Sequence, residues 1–463
     1  MTSPVFAVVG HPNKGKSSIV STLTRQDAVK VSEISGTTTQ AQAFELSIDG
    51  VTQYTLIDTP GFQRPRQVLS WLQQHAPNAS QRKQTIQAFT ELPANQSSGK
   101  YHDEMELLRP ILDGAGIIYV VDGSLPYSPE FEAEMTILQW TGQPRMALIN
   151  PIGGEDYVEA WQNALSQYFS VVRVFNPMTA DHQKQFTVLS AFAELHEPWR
   201  ATIEQTVNFL QSYFQQLEAQ GAMVVSEHLE HMLSHVSDVK IPAQFTESIL
   251  QEKLKQDYQQ TLRNIEASMQ KQLQILFAHP TMRSHAQALT TDYPDIFDSS
   301  HWFMYGLDRQ KIIGLSASAG AAAGAIIDIG VGGASLMTGA VAGGVLSGLA
   351  SFAATLRPEK LKIKGIPIAG KSLTAGPTKD ITFAFVLLGR AVDFLHTILN
   401  RTHANRTVMD LDANNTDNNL TSRMKTLKKY DQVTLTRLLQ KAHKGLSESE
   451  RQQLRDCVLM LCY

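Results

Sequence analysis

At 463 residues the chain is too long for one ordinary core, so two or three domains are expected. A hydrophobic fraction of 43% and a charged fraction of 18% are globular values, and a net charge of −4 argues against a protein whose main task is gripping nucleic acid. Two cysteines, Cys457 and Cys462, and a first apolar run with no signal peptide before it point to a reducing, cytoplasmic setting.

The apolar run 5–9 reads as a buried strand, and residues 10–18, GHPNKGKSS, follow it and lead into a helix. This is the order that a phosphate-binding GxxxxGKS loop requires. Gly10 and Gly15 allow the close backbone approach that lets amide N–H groups face phosphate oxygens. Lys16 would reach the outer phosphates, Ser17 would hold Mg²⁺ through its hydroxyl, and the helix N-terminus would add partial positive charge. A second match, residues 365–372, lacks this context: Gly376-Pro377 follows closely and breaks any helix, so a β-hairpin over 361–374 is expected there.

Next come a polar stretch, 35–40, and candidate strands over 43–47 and 51–58. A threonine in that stretch can meet Mg²⁺ only while a γ-phosphate is present, which makes it a sensor; Thr38 is the first choice and Thr37 the neighbouring alternative. The run 56–61, LIDTPG, ends a strand on Asp58, which can hold the water shell of the metal, and on Gly61, whose N–H can contact the γ-phosphate.

With these three motifs in order, residues 1–200 resemble the G domains of the Era and TrmE GTPases of bacteria, with GxPNxGKSS, a Gly-Thr-Thr run and Asp-Thr-Pro-Gly. The resemblance implies an α/β fold with a mixed, mostly parallel sheet and helices on both faces, binding GTP or GDP with Mg²⁺. It assigns phosphate contacts to Asn13, Lys14, Gly15, Lys16, Ser17 and Ser18, and metal contacts to Ser17, Thr38 and Asp58. Lys16, Thr38 and Gly61 form the catalytic set. Asn13 reads in two ways, as a ligand of an activating K⁺ or as a loop-stabilising side chain.

Departures from the family pattern follow. Phe62 stands where Ras-like proteins carry a water-orienting glutamine, so slow intrinsic hydrolysis is expected. After the strand 145–149, Asn150 can contact the base, but Gly153 replaces the guanine-reading carboxylate, with Glu155 or Asp156 as its only nearby substitutes. After the strand 171–175, residues 176–178 are preferred to Ser190-Ala191 as the fifth loop, which leaves the latter in a helix. Residues 62–112 are long for a switch segment and read as an inserted lid, either a partner-binding switch or a cover over the nucleotide.

Beyond residue 200 a mainly α-helical region is expected over 201–410, followed by a helical tail over 421–463 that carries a Ser447 to Glu450 capping box. Long helices are read over 201–282 and an apolar helix over 383–398, and a polar linker is read at 410–419. His228, His231 and His235 share one helix face, which reads as solvated surface ahead of a metal site.

Residues 312–356 carry one charge, Asp328, and GxxxG spacings at Gly320/Gly324, Gly339/Gly343 and Gly344/Gly348. The 28 uncharged residues after Asp328 could span a bilayer core of about 30 Å, while a buried helical hairpin would share the same composition. The whole chain resembles a bacterial family that joins such a G domain to a helical domain with a Gly/Ala-rich segment.

The leading expectation is a slow, Mg²⁺-dependent GTPase switch at the inner membrane. The alternatives are a soluble Era-like ribosome or RNA assembly factor and a nucleotide-binding scaffold with negligible turnover. Partners expected are a guanine nucleotide, an inner-membrane surface or membrane protein, and a second G domain; nucleic acid is not expected.

Overall fold

The computed structural model describes residues 3–25, 40–92, 99–240, 247–277, 296–297, 355–358, 362–363, 366–367, 371–400 and 420–462. They fall into two units, the first holding the described residues up to Phe214 together with Asn400, and the second the rest from Gln215 onward. The first is built on six strands: β1 (Val5–Val9), β2 (Gln42–Ile48), β3 (Val51–Asp58), β4 (Gly116–Asp122), β5 (Arg145–Asn150) and β6 (Val171–Val174). Their order is β2-β3-β1-β4-β5-β6, parallel throughout except for the β2–β3 pair. That pair turns on Asp49 and Gly50, both at positive φ, as a two-residue hairpin requires.

Central strands covered on both faces need apolar side chains in both directions, which is why β1 and β4 read as unbroken apolar runs. Alternate residues diverge accordingly: Phe6, Val8, Ile118 and Val120 enter one core, and Ala7, Val9, Ile117 and Val121 enter the other. The helices over these faces are α1 (Lys16–Thr24), α2 (Pro65–His75), α3 (Arg82–Glu91), α4 (His102–Leu112), α5 (Glu130–Trp140), α6 (Val158–Leu165) and α7 (His182–Leu195).

The insertion expected over 62–112 packs into the first unit, where Val68 and Leu72 of α2 and Ile86 and Phe89 of α3 share one buried cluster with Ala7, Val9 and Phe62. The first unit also runs past the boundary expected at residue 200. Helix α8 (Glu197–Ser234) is continuous there, and Ile203, Val207 and Leu210 join the core that holds Phe6 and Phe192.

The second unit contains β7 (Ser237–Lys240), α9 (Glu247–Phe277), β8 (Thr355–Pro358), β9 (Lys362–Ile363), β10 (Ile366–Pro367), β11 (Lys371–Ala375), α10 (Ile381–Leu399), α11 (Leu420–Thr426), α12 (Lys429–Ala442) and α13 (Glu448–Leu461). β9 and β10 pair as a short antiparallel hairpin. β11 does not extend it but lies between β7 and β8 in a three-stranded antiparallel sheet, and β7 itself was missed because SDVK is a single short alternation. The second GxxxxGKS match therefore ends in a strand, with Ser372 opposite Lys240 and Arg357, and offers no helix N-terminus to an anion.

The capping box of α13 is present, with the Ser447 hydroxyl and the Glu450 carboxylate capping each other's backbone N–H groups. His228 Nδ1 lies 2.8 Å from the Val224 carbonyl, and among the described residues no group of His, Cys, Asp or Glu could hold a metal ion. No described helix is long and apolar enough to cross a membrane; most of the Gly/Ala-rich stretch (312–354) and the linker 410–419 lie outside the described residues.

The apolar core of this unit gathers Leu229, Tyr258, Leu262, Phe394 and Leu438, and the unit also buries the ion pair Arg390–Glu266. Arg390 Nε donates to Glu266 Oε1 at 2.6 Å and its Nη2 to Oε2 at 3.1 Å. Glu266→Ala removes the carboxylate that accepts both of these bonds and is expected to cost about 3 kcal/mol in urea unfolding. An unchanged midpoint would contradict the pairing.

Candidate nucleotide-binding site

β1, β3, β4 and β5 deliver their carboxyl ends to one edge of the sheet, where open α/β sheets bind ligands. The loop after β1 is shaped by close approaches. A Cβ on Gly10 would strike the Val120 carbonyl, one on Gly15 would strike the Asn150 amide, and one on Gly61 would strike Pro12. Gly10, Asn13 and Gly15 all have positive φ, so the chain here curls into a form whose N–H groups can converge on an anion.

Gly15 is also the N-cap of α1. Lys16 is buried, and its ammonium donates to the His11 carbonyl at 2.9 Å and the Gly10 carbonyl at 3.3 Å. Burial pulls its pKa down to about 8, opposed by the nearby carboxylates of Asp58 and Glu134.

The Ser17 hydroxyl donates to Asp58 Oδ2 at 2.7 Å. Two hard oxygen donors thus meet beside the loop, a set that fits Mg²⁺. Thr37 and Thr38 lie outside the described residues. Gly61 packs on Pro12, and Phe62 N–H donates to the Gly10 carbonyl at 3.2 Å while its ring is fully buried. Phe62 is thus turned into the core.

At the far end of the edge, Asn150 Nδ2 donates to the Lys14 carbonyl at 3.1 Å, while its buried Oδ1 has no hydrogen-bond partner among the described residues. Residues 176–178 lie against it: Asn176 Nδ2 donates to the Pro151 carbonyl, and Met178 N–H donates to Asn176 Oδ1. Ser190 and Ala191 sit within α7. A Cβ on Gly153 would meet Ser124, and one on Gly154 would lie 3.6 Å from Asp156 Oδ2, which places Asp156, one of the two expected substitutes, beside this turn.

The structure adds residues that the motifs did not supply. Asp122 ends β4 opposite Asn150 and lies 3.6 Å from the Lys14 ammonium, with both groups largely buried. Its position at the end of an apolar strand repeats the pattern of Asp58, a signal present in the sequence. Glu134 of α5 accepts from the Tyr119 hydroxyl and sits 2.9 Å from His11 Nδ1, and burial raises its pKa. Nothing in the local sequence of α5 marks Glu134 out.

Two family models match. Residues 5–150 match a model described as a 50S ribosome-binding GTPase, and residues 162–459 match one described as a domain of unknown function, DUF3482. The chain belongs to the DUF3482 family. This DUF3482 protein is 45% identical to the GTPase Der of Agathobacter rectalis over 65 residues, which is 14% of either chain. It is 48% identical to the GTPase Der of Mycoplasma pneumoniae over 59 residues, 13% of either chain. The match thus spans about one seventh of those relatives. A structure of Aquifex aeolicus Era bound to GDP.AlF4- aligns over 60% of this chain and 91% of that one, at 14% identity and a TM-score of 0.27. The DUF3482 chain thus couples an N-terminal P-loop G domain to a C-terminal region rich in helices.

The buried ammonium generates a pH test. The folded pKa of Lys16, about 8, lies below the ordinary lysine value of 10.5, so between these values the unfolded chain holds more protons and stability rises with pH. Nucleotide-free protein is expected to gain up to about 3 kcal/mol from this group across that window. Lys16→Met should remove the gain and raise the unfolding temperature at pH 7. A variant with the wild-type pH profile would show that the ammonium is not held out of water.

Proposed function

We propose that the chain is a Mg²⁺-dependent GTPase switch. The observation that carries this reading is the convergence, at one sheet edge, of a cradle only glycine can build, a buried ammonium and the Ser17–Asp58 pair. In this reading Asn13, Lys14, Gly15, Lys16, Ser17 and Ser18 hold the phosphates, and Ser17, Thr38 and Asp58 hold the metal. Mg²⁺ neutralises charge on the transferring phosphoryl group. Gly61 directs its N–H at the γ-phosphate, and Asn150 contacts the base. The match of residues 5–150 to a GTPase model supports guanine as that base, with selectivity reduced by Gly153.

Hydrolysis is slow, because the buried Phe62 ring supplies nothing to orient water. Turnover on the order of 10⁻³ s⁻¹ is expected, as in G domains without a supplied cation. If Asn13 ligates K⁺, phosphate release is faster in K⁺ than in Na⁺.

Lys16→Ala is expected to abolish mant-GTP binding while the protein remains folded, and GTP should displace the probe more strongly than ATP. Unchanged affinity in the variant would sink the phosphate assignment, and equal displacement would sink guanine preference. Phosphate release at the rate of buffer alone would favour a nucleotide-binding scaffold.

The reading extends to the inner membrane as the place of action, supported by the uncharged run after Asp328 and the basic residues Arg309, Lys311, Arg357, Lys360, Lys362 and Lys364 around it. Full-length protein should pellet with membranes, and a deletion of 312–356 should not. Identical soluble behaviour of both would exclude that extension, and copurified rRNA would favour an assembly factor instead.

A further inference from the structure

The segment that follows Gly61 is fixed from two sides. On one side Gly61 packs on Pro12, and Phe62 donates to the Gly10 carbonyl. On the other it meets the start of α4. There Glu104 Oε1 accepts the backbone N–H of Gln63 at 2.9 Å and that of Arg64 as well. The Arg64 guanidinium donates to the Lys100 carbonyl at 2.8 Å.

Glu104 is fully buried, and its Oε2 has no hydrogen-bond partner among the described residues. A carboxylate held out of water is costly unless its contacts compensate, and a neutral glutamine would serve to join two amides. Charge-assisted bonds to two successive N–H groups hold a main-chain direction more firmly than neutral ones do. Two residues further along α4, Glu106 Oε2 accepts from the Ala41 N–H at 3.4 Å, so the same helix also touches the chain entering β2.

We propose that Glu104 is a positioning residue for GTP hydrolysis: by fixing the Gln63 and Arg64 amides it aims the Gly61 N–H at the γ-phosphate. The inference rests on the GTPase reading above. With Phe62 buried, the chemistry depends on preorganised backbone donors, and their contribution falls steeply when they are misplaced. Glu104 touches no phosphate itself; it acts through the backbone of 61–64.

Single-turnover hydrolysis of Mg²⁺-GTP and the Kd for GTP test it, in wild type, Glu104→Gln and Glu104→Ala, with thermal unfolding as the check on folding. The expected rate order is wild type, then Glu104→Gln a few-fold slower, then Glu104→Ala slower by about tenfold or more, with Kd within about twofold throughout. Rate loss at constant affinity, partly rescued by glutamine, separates positioning from general destabilisation. Glu104→Ala at the wild-type rate would overturn the inference and leave the GTPase reading standing, as would rate and affinity falling together. Should Glu104→Ala not fold, Glu104→Gln decides, and a wild-type rate in it overturns the inference. A wild-type chain that releases no phosphate would overturn both.

Discussion

The arrangement of the N-terminal unit depends on keeping one ammonium group, that of Lys16, almost out of water. Burying a cation is unfavourable unless oxygen atoms replace its hydration, and here the Gly10 and His11 carbonyls do so, with Asp58 and Glu134 adding field from nearby. That arrangement requires the loop to curl tightly, which requires glycine at 10 and 15, and it brings the loop against Val120 and Asn150 of the neighbouring strand ends. The parallel sheet serves the same need, since β3, β4 and β5 run in one direction and so bring Asp58, Asp122 and Asn150 to the same edge.

Tight packing continues along the chain after Asp58. In many G domains this segment must move, yet here its apolar members belong to the core. Phe62, Val68, Leu72, Ile86 and Phe89 share a cluster with β1, and Glu104 takes the two amides between them. The backbone of 61–64 is therefore held on both sides, by the apolar cluster and by the Glu104 carboxylate. Such a device suits a protein that lacks a water-orienting glutamine.

Much of the G domain was legible in the sequence because its signals are local. Strand, glycine loop and helix occur within twenty residues, and the runs of β1 and β4 announce central strands by the absence of alternation. The DTPG turn and the Asn176 loop were readable for the same reason. What escaped depends on contacts distant in sequence. Glu134 and Glu104 look like ordinary helix acids until folding brings them to His11 and to Gln63. The insertion reads as a lid because it is long for a switch segment; only the fold reveals that its apolar residues, Val68, Leu72, Ile86, Phe89, Leu107, Leu108 and Ile111 among them, share a core with β1. β7 and β11 were missed or misassigned because their pairing bridges more than a hundred residues. The second GxxxxGKS match shows the converse, a local pattern without a helix to give it chemistry.

In the proposed function the loop at 10–18 and Asp58 form one site for a triphosphate and Mg²⁺. Isothermal titration of GTP into nucleotide-free protein, with excess Mg²⁺ and again with EDTA, tests it most directly. The account predicts one-to-one binding that tightens by about tenfold or more with the metal, roughly 1.4 kcal/mol. No binding, or an affinity indifferent to Mg²⁺, would contradict it.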